Sequence, residues 1–294
     1  MLRNGINGFF MALADSVPGV SGGTIAFIMG FYDDFIGSIH NLVFGRMQEK
    51  KTALRYLLKL GIGWILGMIL AVLVLSALFN SHIYVVSSLF LGLIVGSIPV
   101  IVMEEKDSIR KVGRGIVFGI LGIAVVVFVT WLNGHVGTSA MDLGSFSIGL
   151  GIKLFFIGMI AISAMFLPGI SGSTLLLIMG AYIPVITAVR GVLGLELAYI
   201  PGLIFFGLGV LTGAVTVVKG IKICLKKYRA QSIYAILGMM IGSIYAIIQG
   251  PATLETAQPA MSMGTFNVIA GLAGVALTLL LSYKNCKKII KMIK

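Results

Sequence analysis

Two short segments carry the residue types that chemistry needs. Pro18-Gly19-Val20-Ser21-Gly22-Gly23-Thr24 returns 150 residues later as Pro168-Gly169-Ile170-Ser171-Gly172-Ser173-Thr174, each inside an otherwise apolar stretch. A Pro-Gly pair stops a helix, and the following Ser-Gly-x-Thr starts the next one, with Ser21 and Ser171 as N-caps. The first amides of such a helix lack partners within it, and its end carries roughly half a positive charge. That combination suits an anion, and two converging ends with hydroxyls suit a phosphate. The candidate phosphate-binding residues are therefore Ser21, Gly22, Gly23 and Thr24 together with Ser171, Gly172, Ser173 and Thr174. Pro18, Gly19, Pro168 and Gly169 are the helix breaks. Arg3 and Lys153, opposite each other under the same offset, are candidate charges at the two approaches. The other reading makes both segments simple kinks packed against neighbours; the duplication of the hydroxyl residues along with Pro and Gly weighs against it.

Asp15 lies three positions before Pro18 and is the only acidic residue of the first broken segment up to that point. A carboxylate within a membrane is costly and is by default functional, so Asp15 is the candidate proton carrier; a wetted place at a funnel mouth is the alternative. Catalysis has little to work with. No Ser/His/Asp order, P-loop or metal-ligand spacing occurs; His40, His82 and His135 are scattered, and Cys224 and Cys286 sit beside lysines as isolated, reduced thiols. No catalytic residue, metal or cofactor is expected. Glu104, Glu105 and Asp107 read as solvated residues of a basic loop, Trp64 and Trp131 as core or interface aromatics. Arg190, near Glu196, reads either as a headgroup anchor or as a first contact for an arriving anion.

The elements that position these residues are apolar. Of 294 residues, 58% are hydrophobic and 11% charged, and the mean hydropathy of +1.07 excludes a water-soluble globular domain. Six charge-free segments, 60–79, 83–103, 115–132, 200–218, 231–249 and 264–283, are each long enough to cross a hydrocarbon core of about 30 Å. Stretches 4–31 and 150–182 are broken in the middle. The first is cut by Asp15 and Pro18 and lacks a small-x-small cleavage site, so no secretory signal is expected. Basic residues cluster at Arg3, Arg46–Lys59, Lys106–Arg114, Lys219–Arg229 and Lys284–Lys294, whereas 80–82, 133–147 and 251–263 hold none. The positive-inside rule then places both termini in the cytoplasm. The +12 net charge is accounted for by topology and by attraction to anionic lipid, not by nucleic acid. Between an outer 133–147 and an inner 219–229 lies one clear span, so 150–182 must leave and return on one face. A re-entrant hairpin is the simplest solution, and two thin, tilted crossings satisfy the same parity.

Positions 18–32 and 168–182 agree at nine of 15 residues, including Ile28-Met29-Gly30 with Ile178-Met179-Gly180 and Tyr32 with Tyr182. Gly61-x-Gly63-x-x-x-Gly67 and Gly92 through Gly96-Ser97-Ile98 recur at an offset of 146. The chain is thus read as a duplication within a single membrane domain, 1–145 and 146–294. An odd number of spans per half inverts the second half. The expected fold is an all-α integral membrane protein with an inverted-topology repeat, each half one re-entrant helical hairpin plus three transmembrane helices. Inverted repeats with broken helices are a transporter architecture, with the site near the midplane.

At these motifs, Ala14-Asp15-Ser16-Val17-Pro18-Gly19-Val20-Ser21-Gly22-Gly23-Thr24 and Pro168 to Thr174, the sequence resembles the bacterial polyprenyl-phosphate transporter family, the PopT group, over nearly its whole length. The resemblance implies a flippase that returns undecaprenyl phosphate, the lipid carrier of cell-wall biogenesis, from the outer to the inner leaflet of the bacterial plasma membrane. It implies a polyprenyl phosphate lipid as partner. A second likeness is to membrane undecaprenyl-pyrophosphate phosphatases, whose Pro-Gly-x-Ser-Arg-Ser element has an arginine where Gly22 and Gly172 stand here, and whose glutamate pair is absent from residues 1–30. That departure favours moving a phosphate lipid over hydrolysing one; a transporter of another anion is the remaining alternative.

Overall fold

The computed structural model describes residues 2–16, 20–71, 76–109, 115–135, 141, 143–253 and 258–281. The helix break at Pro18 and Gly19, Cys286 and the basic tail lie outside the described residues, as do the side chains of Ser173 and Arg190. Regular structure among the described residues is helical. The first half contains α1 (Leu2–Asp15), α2 (Gly22–Ile28), α3 (Tyr32–Phe44), α4 (Met47–Leu70), α5 (Ser76–Glu104), α6 (Lys106–Ile109) and α7 (Ile116–His135). The second contains α8 (Ile148–Phe166), α9 (Gly172–Ile178), α10 (Tyr182–Leu193), α11 (Ile200–Lys227), α12 (Arg229–Gln249) and α13 (Val268–Leu281).

Five helical stretches are long and apolar enough to cross a membrane: Met47–Leu70, His82–Glu104, Ile148–Phe166, Leu197–Lys227 and Arg229–Ala252. Three of these contain the expected spans 83–103, 200–218 and 231–249, while Ile116–Leu132 and Val268–Leu280 are shorter apolar helices within the expected spans 115–132 and 264–283. The expected span 60–79 is displaced, because α4 begins at Met47 and ends at Leu70. Its first turns carry Lys50, Lys51, Arg55 and Lys59, good helix formers whose long stems let the charge reach water, so a charge-free window misses the start. Glu49 caps this end by accepting the Arg46 N–H at 2.7 Å. Within the stretch 150–182, α8 alone, 19 residues, is long enough to cross. In contrast α1, 14 residues, is about 21 Å long, short of a full crossing.

The echoes seen in sequence have structural reasons. Gly30 and Gly180 take positive φ of 70° and 66° where α2 and α9 end. Phe31 N–H reaches back to Ala26 C=O at 2.9 Å and Ala181 N–H to Leu176 C=O at 2.8 Å, the six-to-one closure that needs a left-handed residue just past the helix. Helices pair as α1 on α4, α8 on α11, α5 on α13 and α7 on α12. Gly63 sits against the Gly5 carbonyl and Gly209 against that of Phe155; Gly92 sits against the Gly271 carbonyl and Gly238 against that of Gly119. A Cβ at any of these four would strike backbone, which is how small residues let membrane helices approach. Outward faces keep large apolar side chains exposed, such as Ile62, Leu66, Ile120, Phe128, Leu211 and Ile269, as lipid contact requires.

Candidate functional site

The second arm of the first broken segment meets the tip of the second. Ser21 caps α2 with extended backbone (φ −128°, ψ 142°); its Oγ accepts the Gly23 N–H at 3.1 Å and donates to the Leu167 carbonyl at 3.2 Å. Thr24, wholly buried, accepts the Gly169 N–H on its Oγ1 at 2.8 Å. Tyr32 donates its hydroxyl to the Phe166 carbonyl at 2.8 Å. These bonds satisfy the amides and carbonyls that breaking a helix exposes in an apolar setting. Glycine is required here: Gly169 has φ +86°, and its Cβ would lie 2.5 Å from the Met239 carbonyl.

The N-terminus of α2 already holds an anion of the chain itself. Asp15 accepts the Gly22 N–H on Oδ1 at 2.6 Å and the Trp64 indole N–H on Oδ2 at 3.0 Å. Gly22 has to be glycine for this, since a Cβ would fall 2.7 and 2.8 Å from the two carboxylate oxygens. The Thr24 amide turns back to the Ser21 carbonyl at 2.9 Å. The expectation of bare amides at this tip is therefore replaced by a carboxylate seated on Gly22.

The second tip is built differently. Ser171 is buried and caps α9 without a side-chain bond to the helix, and Met165 occupies the place that Asp15 has 150 residues earlier. Gly172 packs over the Ala161 carbonyl, 3.0 Å from where its Cβ would be, and Thr174 is half-buried. Arg3 and Lys153 are exposed at the far ends of α1 and α8, about 18 and 20 Å along their helices from the tips. The structure thus brings Asp15, Ser21, Gly22, Gly23, Thr24, Leu167 and Gly169 together, and leaves the two cations at the far ends of α1 and α8.

A family model described as undecaprenyl phosphate translocase-like matches residues 11–265. The chain belongs to that family. Within the translocase-like family, it is 37% identical over 257 residues to a polyprenyl-phosphate transporter of Staphylococcus aureus, covering 85% of this chain and 87% of the relative. It is 30% identical over 261 residues to a polyprenyl-phosphate transporter of Vibrio cholerae, covering 85% and 78%. No solved structure matches.

In this translocase-like chain, three residues at or near the tips escape a reading by composition. Trp64 is a carboxylate donor, not merely a core aromatic; its only sequence signal is its place one residue after Gly63, on the helix beside α1. Tyr32 reaches the opposite tip, and its recurrence as Tyr182 marks it. Glu105 is not a solvated surface residue. Arg229 donates to it through Nε at 3.1 Å and through Nη2, and to Asp33 at 2.8 Å, joining the starts of α3 and α12 to the end of α5. Nearby, Lys222 donates to His40 Nδ1 at 2.9 Å and to Asn41 Oδ1 at 3.0 Å, so α3 is held along α11 by its polar side.

Proposed function

We propose that this chain carries a polyprenyl phosphate, undecaprenyl phosphate in the bacterial plasma membrane, from the outer leaflet to the inner one. The observation that carries the reading is the meeting of the two broken segments, where hydroxyls of Ser21 and Thr24 bond the backbone of Leu167 and Gly169. The phosphate passes between these tips while the prenyl chain stays in lipid, its water replaced in turn by Ser21, Thr24, Ser171, Thr174 and the amides beside them. Arg3 and Lys153 receive it at the two approaches. The pairing of helices supports an inverted repeat, 1–145 with 146–294: α1 on α4 corresponds to α8 on α11, and α5 on α13 to α12 on α7. Short α1 and the tip-to-tip bonds favour a re-entrant hairpin over a double crossing in the first half, and the clusters from Arg46 and Lys219 favour cytoplasmic termini.

Asp15 gives the phosphate a rival. While its carboxylate occupies Gly22 N–H, the first tip is closed to a second anion. Taking up a proton removes the charge and weakens the hold on the amide, so a proton and a phosphate compete for one place. A co-moving proton also offsets the cost of carrying negative charge toward a negative interior, about 2.3 kcal/mol per charge per 100 mV. In liposomes the purified protein is expected to move a labelled polyprenyl phosphate between leaflets without releasing inorganic phosphate; release from the pyrophosphate form would instead identify a phosphatase. Asp15→Asn should lose dependence on the proton gradient. A variant whose pH profile matches wild type removes Asp15 from coupling.

A further inference from the structure

Two apolar grooves flank the tips. One, about 760 Å³, lies among α1, α5 and α13 and reaches Leu13 and Ile25 beside the first tip. The other, about 500 Å³, lies among α7, α11 and α12 and reaches Leu167 and Tyr32 at the second. Both volumes fall in the range of ligand sites.

Their walls are the same wall used twice. His82, Val85, Val86, Leu89, Phe90 and Leu93 line the first groove, and the residues 146 positions on, Tyr228 through Met239, line the second in the same order. On the facing helix, Ala270 of α13 corresponds to Phe118 of α7, the pair of helices whose glycine crossings also correspond. Each groove is apolar along its length and polar at one end, with His82 and Asn267 at the first, Gln231 and Ser232 at the second. The polar ends lie at the starts of His82–Glu104 and Arg229–Ala252, which the inverted repeat places on opposite faces of the membrane.

We infer that the two grooves are alternate seats for the first isoprene units of the lipid's tail, one serving the outer leaflet and one the inner. The inference rests on the polyprenyl-phosphate reading above. Each groove runs from a membrane face to the tip that takes the headgroup, so a tail lying in it delivers the phosphate to that tip. An ordinary phospholipid has no such reason to occupy duplicated grooves that end at both tips. Passage of the phosphate then includes a transfer of the proximal tail from the α5–α13 groove to the α12–α7 groove, while the rest of the chain swings through lipid.

Wild type, Ala273→Trp in the first groove and Ala235→Trp in the second are compared in liposomes with a fluorescent polyprenyl phosphate. Leu208→Trp, on the exposed face of α11 outside both grooves, controls for added bulk. With folding verified by thermal unfolding, each groove variant is expected to slow transport at least tenfold and Leu208→Trp to keep the wild-type rate; wild-type rates in both groove variants overturn the inference. A second measurement does not depend on the bulky variants folding. Cys224 is a free, exposed thiol on the wall of the second groove. In Cys286→Ser protein, its alkylation by N-ethylmaleimide should slow at least fivefold with polyprenyl phosphate and be unaffected by inorganic phosphate. No protection, or equal protection by phosphatidylglycerol alone, overturns the groove assignment. A wild type that moves no polyprenyl phosphate overturns the transport reading itself, and the Cys224 labelling then still decides whether the groove holds a prenyl tail.

Discussion

Asp15 is held by two N–H groups from different elements, the Gly22 amide at 2.6 Å and the Trp64 indole at 3.0 Å. Hydrogen bonds to a charged group contribute about 1.5–3 kcal/mol each, and leaving either partner buried and alone is costly. The two donors act on one carboxylate, so their removal cannot be additive with removal of the acceptor. Trp64→Phe is expected to lower stability in detergent by an amount in that range. Asp15→Asn keeps an oxygen for Gly22 but turns an NH₂ toward the indole, and should lose a similar amount. The double variant should fall short of the sum by about 0.5–3 kcal/mol; strict additivity would show that the indole and the carboxylate do not meet in the working protein. The second tip offers an internal comparison, since Met165 has no charge to place there.

At the scale of elements, the start of α12 and the end of α5 are the pieces tied by charge. Arg229 binds Glu105, whose side chain is 17% exposed, and Asp33, which is 54% exposed. The Asp33 arm is therefore screened and contributes little, in the range of 0–1 kcal/mol for surface pairs, whereas the bidentate, sheltered Glu105 arm dominates. Arg229→Gln should destabilise the protein markedly more than Asp33→Asn, and the difference should persist at high salt because it comes from the sheltered arm. Equal effects of the two substitutions would mean that the clamp is only a surface pair. No pattern in the sequence announces this clamp, because Arg229 and Glu105 both lie inside runs of like and unlike charge that read as solvated loop. By contrast the glycines that seat α4 on α1 and α11 on α8 were legible, since Gly63, Gly67, Gly209 and Gly213 recur at fixed spacing and all four face a neighbour's backbone.

For the whole molecule, what the sequence makes legible follows from what lipid enforces. Apolar length and the sites of Lys and Arg are dictated by the bilayer, so the existence of most spans could be read directly. Helix ends in water are not constrained in that way, which is why α4 starts 13 residues before its expected span at residue 60; the carboxylate on Gly22 was hidden for another reason, since spacing alone does not say which amide a side chain reaches. The topology itself makes the last prediction. If the halves are inverted, Ser145, before α8, and Ala198, before α11, lie on the same outer face although α8 through α10 intervene; α8 by itself is long enough to cross and must then be followed by a return. Single cysteines at Ser145 and Ala198, in protein lacking Cys224 and Cys286, should both react with a membrane-impermeant maleimide on intact cells. A cysteine at Gln48, in the exposed first turn of α4, should react only after permeabilisation. Labelling of Ser145 without Ala198 would mean that 150–182 crosses an odd number of times, and the two tips could not then belong to oppositely oriented halves.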